Sequence, residues 1–251
     1  MNAPYRTQSA ACGRVPCSTT HPDSASPWRR LSWPLLRAWR SIARESPEKR
    51  YERRILTRMA RGDLTNTLGV QIRDEAGIRA MAEEWLAGLI RLGLRPHDLC
   101  VEYGCGSLWC AEPIIRHQQP GRFIGLDVTD RFYELGRQRL EGLLTEKQVG
   151  LAVISRRALR QVATLKPAFV YSHRVLHHVP RDALARFMNN VVALLNEQTI
   201  LVIENAPRES HGKSLKRRYK ADDIRPHLPQ DWDCRQEPAG LVITHRARSA
   251  A

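Results

Sequence analysis

The sequence predicts an α/β fold, a doubly wound and mostly parallel sheet with helices on both faces. Three observations predict it. Short apolar runs rich in β-branched residues recur at Leu99–Glu102, Arg122–Asp127, Gly150–Ile154, Ala168–His173 and Thr199–Asn205, the pattern of strands buried on both sides. Stretches with helical spacing precede the first run and separate later ones, which makes neighbouring strands parallel. The first run ends in a glycine-rich turn, Gly104-Cys105-Gly106, where an open α/β sheet binds its ligands.

Each element follows from its residues. Residues 1–27 are rich in Ser, Thr, Pro, Ala and Gly without periodicity and read as disordered. Residues 28–62 read as a basic amphipathic helical extension. Leu35, Leu36, Trp39, Ile42 and Ala43 fall on one stripe, with Arg37, Arg40 and Arg44 off it. Such a segment docks on its own protein or lies on an anionic membrane surface; the first ~44 residues, Arg- and Ser-rich with Asp23 as their one acid, also fit a transit peptide. "EKRYERRILTRMARGD" continues it as a charged helix or linker. Residues 63–251 read as the main domain. From Asp74, helical spacing joins Ile78, Met81, Ala82, Trp85, Leu86, Leu89 and Ile90, and Gly93 ends it. Asp130 is the expected N-cap of a helix whose core face is Phe132, Leu135, Leu140 and Leu143. A later helix turns Leu184, Phe187, Val191 and Leu194 inward. "DWDCRQEP" and "LVITHRAR" meet at Pro238–Gly240 with no helix between them, so they form an antiparallel terminal pair. The expected sheet thus has seven strands.

Composition narrows the function. The net charge is +14, but residues 1–62 hold 13 Lys/Arg against 4 Asp/Glu, and residues 63–205 hold 17 against 16. The basic character lies at the two ends of a nearly neutral body, which is weaker evidence for a nucleic-acid groove than a uniformly basic domain. Six cysteines without CxxC spacing give no metal site and fit a reducing, cytoplasmic setting. No apolar run reaches the length of a membrane span, and residues 1–30 lack a secretory signal.

The loop "VEYGCGSLW" carries the chemistry. Gly104 and Gly106 let a ligand approach the backbone closely. Trp109 stands where a dinucleotide fingerprint has its third glycine, which disfavours NAD or FAD, and no Lys-Ser/Thr pair follows to make a P-loop. Asp127 ends the second run about 20 residues on, where a carboxylate accepts from both ribose hydroxyls.

"VEYGCGS", "IGLDVTD" and "FVYSHRVLHHVPRDALARFMNNVVALL" together resemble the class I S-adenosylmethionine-dependent methyltransferases over roughly Asp74 to Asn205. The resemblance implies a Rossmann-like, seven-stranded sheet and S-adenosylmethionine as cofactor. It implies a binding set of Glu102, Tyr103, Gly104, Cys105, Gly106 and Ser107 on the loop, Asp127 and Val128 after the second strand, and Ser172 at the end of the fourth. Two features depart from the family pattern: Ala168 replaces an acid at the start of the fourth strand, and Ser155, Arg156 and Arg157 stand where an acid often meets the adenine amino group. Stacking, or a backbone contact near Ser155, is expected there instead.

The cofactor carries a sulfonium and no phosphate, so acids rather than a phosphate nest suit it. His173 and His177, at the acceptor rim, are the expected bases, and His178 is read as structural. Glu204 and Asn205 end the fifth-strand run on the same side; Trp85 and Trp109 are read as packing. Ser210–Lys220 is a solvated basic loop or binds an anionic acceptor. The expected reaction is O- or N-methylation of a small-molecule, lipid or glycan-precursor acceptor, with peripheral membrane contact through the basic N-terminal helix. An RNA methyltransferase and a non-catalytic binding protein on the same fold are the alternatives.

Overall fold

The structure, a computed structural model, describes residues 45–61, 75–204 and 219–249. The proposed disordered segment 1–27, most of the basic amphipathic stripe, and Ser210–Arg218 lie outside the described residues, as does Asn205. Residues Ser46–Ala251 form one compact unit.

Within that unit the strands are β1 (Cys100–Tyr103), β2 (Phe123–Asp127), β3 (Gly150–Val153), β4 (Phe169–Ser172), β5 (Ile200–Ile203), β6 (Trp232–Glu237) and β7 (Gly240–His245). They form one sheet in the order β3-β2-β1-β4-β5-β7-β6. The first five are parallel. β7 runs antiparallel to β5 and to β6, the terminal pair expected from the missing helix at Pro238–Gly240. The order reverses beside β1, where β2 and β4 flank it, so the switch point falls at the glycine loop.

The helices are α1 (Pro47–Ala60), α2 (Glu75–Arg91), α3 (Ala111–His117), α4 (Asp130–Glu146), α5 (Arg156–Thr164), α6 (Leu184–Val192), α7 (Ala221–Ile224) and α8 (Arg246–Ser249). Strand residues alternate between two cores, as the two-residue period of a strand requires. Val101, Val170, Leu201 and Ile243 pack with Leu159 and Val162 of α5 and Phe187 and Met188 of α6. Cys100, Phe169, Val202 and Val242 pack with Leu89 of α2, Ile114 of α3 and Leu140 of α4. Helices therefore cover both faces.

Local chemistry sets the boundaries. α2 ends where Gly93 takes φ +104°. Its amide donates to the Ile90 carbonyl and the Leu94 amide to the Leu89 carbonyl, the paired bonds of a Schellman stop. Two expectations shift. Thr129 is the N-cap of α4 and Asp130 its first helical residue, where a carboxylate favours the helix dipole. Leu135 is 44% exposed, and Tyr133 and Gly136 are buried instead. α5, absent from the sequence reading, hides only Ala158, Leu159 and Val162. Among the described residues, no helix is long and apolar enough to cross a membrane.

Candidate functional site

A cleft opens beyond the carboxyl ends of β1, β2 and β4, where an open α/β sheet binds its ligands. Glu102, Gly104, Cys105, Gly106 and Asp127 line it, as do His173 and the segment after β4. α1 contributes Pro47 and Tyr51 to the same wall.

The glycine loop is pinned from behind. The amides of Gly104 and Cys105 both donate to the Leu126 carbonyl, at 2.7 and 3.0 Å. Gly104 has φ +91°, and a Cβ there would meet Val175 Cγ2 at 2.3 Å; a side chain would be both strained and blocked. Gly136 of α4 faces the loop so closely that a Cβ would lie 2.5 Å from the Ser107 carbonyl oxygen. The close approach sought from a third loop glycine thus comes from α4. Trp109 lies under the Arg139 guanidinium at 3.8 Å, a packing role as expected.

Two buried acids face the cleft. Asp127 accepts the Gly106 amide at 2.7 Å on one oxygen and the Val128 amide at 2.7 Å on the other. Each oxygen keeps a lone pair for a ligand. Burial pushes its carboxyl up to about 6, against the opposing pull of those amides. Glu102 is buried deeper in effect: burial pushes it up to about 8. The Tyr171 hydroxyl lies near enough to favour its charged form, yet Glu102 Oε2 and the Tyr171 hydroxyl both lack a hydrogen-bond partner. A buried, unpaired carboxyl oxygen in a cleft is costly unless a ligand completes it.

Other expected residues stand differently. Ser172 donates to the Tyr103 carbonyl at 2.8 Å and clamps β4 to β1. The Tyr103 ring turns into the core, edge-on to Phe187, with its hydroxyl accepting from Asn190 at 3.1 Å. Tyr103, Ser107, Val128 and Ser172 thus stand behind the cleft lining, as does His177. His173 does line the cleft. Its ring packs on Trp85 at 4.8 Å, and Nε2 lies 3.4 Å from Glu204 Oε2. Burial, with the Arg174 charge second, pushes His173 down to about 3, so a neutral ring rather than an imidazolium stands beside Glu204.

His178, read as structural from sequence, lines the cleft and lies against Tyr51 at 5.0 Å. Leu176–His178 is a 3₁₀ turn, in which successive side chains point about 120° apart. Even so, the His177 and His178 rings lie against each other at 4.0 Å; only His178 is among the residues that line the cleft, and the sequence gives no sign of which faces the ligand. Cys110 also lines the cleft, unforeseen from the sequence; burial pushes its thiol up, so it is uncharged. Among the described residues, no group of three or more His, Cys, Asp or Glu is placed to hold a metal ion.

No protein-family model matches the chain, and no curated protein matches it. Solved structures do. The chain is similar to magnesium protoporphyrin IX methyltransferase from Synechocystis PCC 6803 with bound SAH. The two are 16% identical, with a TM-score of 0.51, over 86% of this chain and 97% of that one. It is also similar to a SAM-dependent methyltransferase from Anabaena variabilis ATCC 29413, at 17% identity and a TM-score of 0.51, over 68% of this chain and 86% of that one. The chain has the Rossmann-like fold of these methyltransferases.

Proposed function

We propose that the protein is an S-adenosylmethionine-dependent methyltransferase that acts on a small-molecule acceptor. The observation that carries this reading is the pair of buried acids in one cleft, Asp127 on its two amides and Glu102 with an unpartnered oxygen. A ribose diol donates to the first, and the cationic amino acid end of the cofactor completes the second. The neighbour from Synechocystis was solved with SAH bound, which supports the same cofactor here.

When bound, S-adenosylmethionine would supply an electrophilic methyl to an acceptor lone pair in line with the C–S bond, the sulfur leaving with the bonding pair as the neutral thioether of S-adenosylhomocysteine. The chain's own residues provide the setting. Asp127 orients the ribose, and Glu102 balances positive charge in a dry site. Phe132, Val175, Val179 and Phe187 line the cleft and exclude water, which strengthens those charge interactions. Positioning of the two reactants supplies much of the acceleration. His173, held neutral between Trp85 and Glu204, shapes the wall, and His178 accepts the proton of an O–H or N–H acceptor. Contact of the 28–62 segment with an anionic membrane surface belongs to the same reading.

Calorimetry on the full chain tests the cofactor assignment. S-adenosylmethionine and S-adenosylhomocysteine should bind with micromolar affinity. A folded protein that shows no heat with either at about 1 mM, where even weak sites begin to fill, would remove the reading.

A further inference from the structure

A second groove runs along α1 and meets the cofactor cleft at Pro47, Tyr51, His178 and Pro180. Its remaining lining is Arg50, Arg53, Arg54, Thr57 and Arg61. Four guanidinium groups face one groove whose lining, among the described residues, contains no carboxylate. Arg50, Arg54 and Arg61 have no acidic partner among the described residues. By contrast, the shallow cleft beside Trp109 sets Arg79 and Arg116 against Glu83 and Glu112, which leaves it electrostatically balanced. Concentrated like charge costs self-repulsion unless an anion relieves it.

We propose that this groove holds the methyl acceptor and that the acceptor carries a phosphate group. The proposal rests on the cofactor assignment above, because the shared residues make the groove the approach to the methyl. The spacing of Arg50, Arg53, Arg54, Thr57 and Arg61 puts them on one side of the helix over roughly 16 Å. The end shared with the cleft is the start of α1, at Pro47 and Tyr51. Arg50 lies between these two, and Arg53 and Arg54 follow within one turn of Tyr51, so three guanidinium groups stand beside the shared end. Arginine suits the task, since its fork meets phosphate oxygens in pairs. Tyr51 joins the two sites: Arg54 lies over its ring at 5.4 Å, and His178 lies on it at 5.0 Å. The helix that anchors the phosphate is thereby fixed to the residue placed to take the proton. The arginines span only roughly 16 Å, which suits a small molecule or a lipid headgroup better than a long nucleic-acid strand.

The test uses the full chain and inorganic pyrophosphate as probe, titrated with and without saturating S-adenosylhomocysteine. Pyrophosphate should bind, and an Arg50→Glu/Arg54→Glu variant should bind it at least tenfold more weakly. The same variant should keep its S-adenosylhomocysteine affinity, and a surface Arg137→Glu variant should match the parent in both. Phosphatidylcholine vesicles with and without phosphatidate separate the sources. Phosphatidate-dependent flotation lost in the double variant points to a lipid headgroup; pyrophosphate binding without flotation points to a free phosphate. Absent pyrophosphate binding, or equal binding by the double variant, overturns the proposal. So does a single-stranded RNA oligonucleotide that binds in an Arg50- and Arg54-dependent manner and is not displaced by pyrophosphate. Loss of S-adenosylhomocysteine binding by the parent overturns the cofactor assignment instead, and the two failures are read in separate titrations.

Discussion

The Asp127 carboxylate on β2 raises the proton affinity of Glu102 on the neighbouring strand β1, adding to the larger effect of burial. The two acids sit in one cleft and cannot ionise independently. A cationic ligand favours their ionised forms. Glu102 is pushed up to about 8, so at pH 6 the free protein holds that proton and must release it on binding. Affinity for S-adenosylmethionine should therefore rise between pH 6 and 8, with proton uptake by the buffer seen in calorimetry. A flat or falling profile would contradict the role given to Glu102.

The same group predicts a stability trade. A carboxyl that titrates near 4.5 in the unfolded chain and near 8 in the folded one keeps the folded state more protonated between those values. Stability should then fall as pH rises through that window. Glu102→Gln removes the charge, so at pH 8 the variant should melt higher, by on the order of a few kcal/mol, while binding the cofactor more weakly. Thermal melts across pH 5 to 9 check this; a variant less stable than the parent at pH 8 would count against it.

Asp127 holds the loop as well as the ligand. Asp127→Ala deprives the Gly106 and Val128 amides of their acceptor and removes the ribose contact. Cofactor affinity should drop by about 100-fold or more, since bonds to charged groups contribute roughly 1.5–3 kcal/mol each. Far-ultraviolet circular dichroism would establish that the variant is folded.

Gly104→Ala should destabilise the protein by about 1–3 kcal/mol, because the new methyl meets Val175 and the backbone stays at φ +91°. A second change, Val175→Ala, should recover the share due to the clash and leave the share due to φ. A double-mutant cycle in urea measures the two parts; full recovery would show that φ costs nothing there.

His178→Ala should lower turnover by about 100-fold with S-adenosylhomocysteine affinity unchanged. His177→Ala, altering a residue behind the lining, should act through stability rather than turnover. The reverse ranking in a turnover assay would return the proton-accepting role to His177.

Much of this architecture is legible in the sequence because it rests on short-range patterns. β-branched runs mark β1 to β5, each within a residue or two, and the Gly104–Gly106 turn and Asp127 mark the switch point. What escapes the sequence depends on long-range placement. Gly136 supplies the loop's close packing from 30 residues downstream, so Trp109 reads as a defect when it is none. α5 begins with two arginines and hides three side chains, too short a stripe to register. α1 is charged on nearly every side, and of its described side chains only Ile55 is buried; nothing in its pattern announces that Tyr51 walls a cleft. His177 and His178 differ only by the phase of a single turn.

The place of Pro47 and Tyr51 in the cleft wall has a practical consequence for anyone who shortens this protein. A chain begun at residue 63, where the sequence suggests the domain starts, would retain the entire sheet and nearly all of both cores. It would express, fold and melt cooperatively. Its cleft would stand open on one side, and the arginine groove would be gone. Thermal stability and ligand affinity would part company in such a fragment, so a melting curve would certify as intact a protein that had lost the means to recognise its substrate.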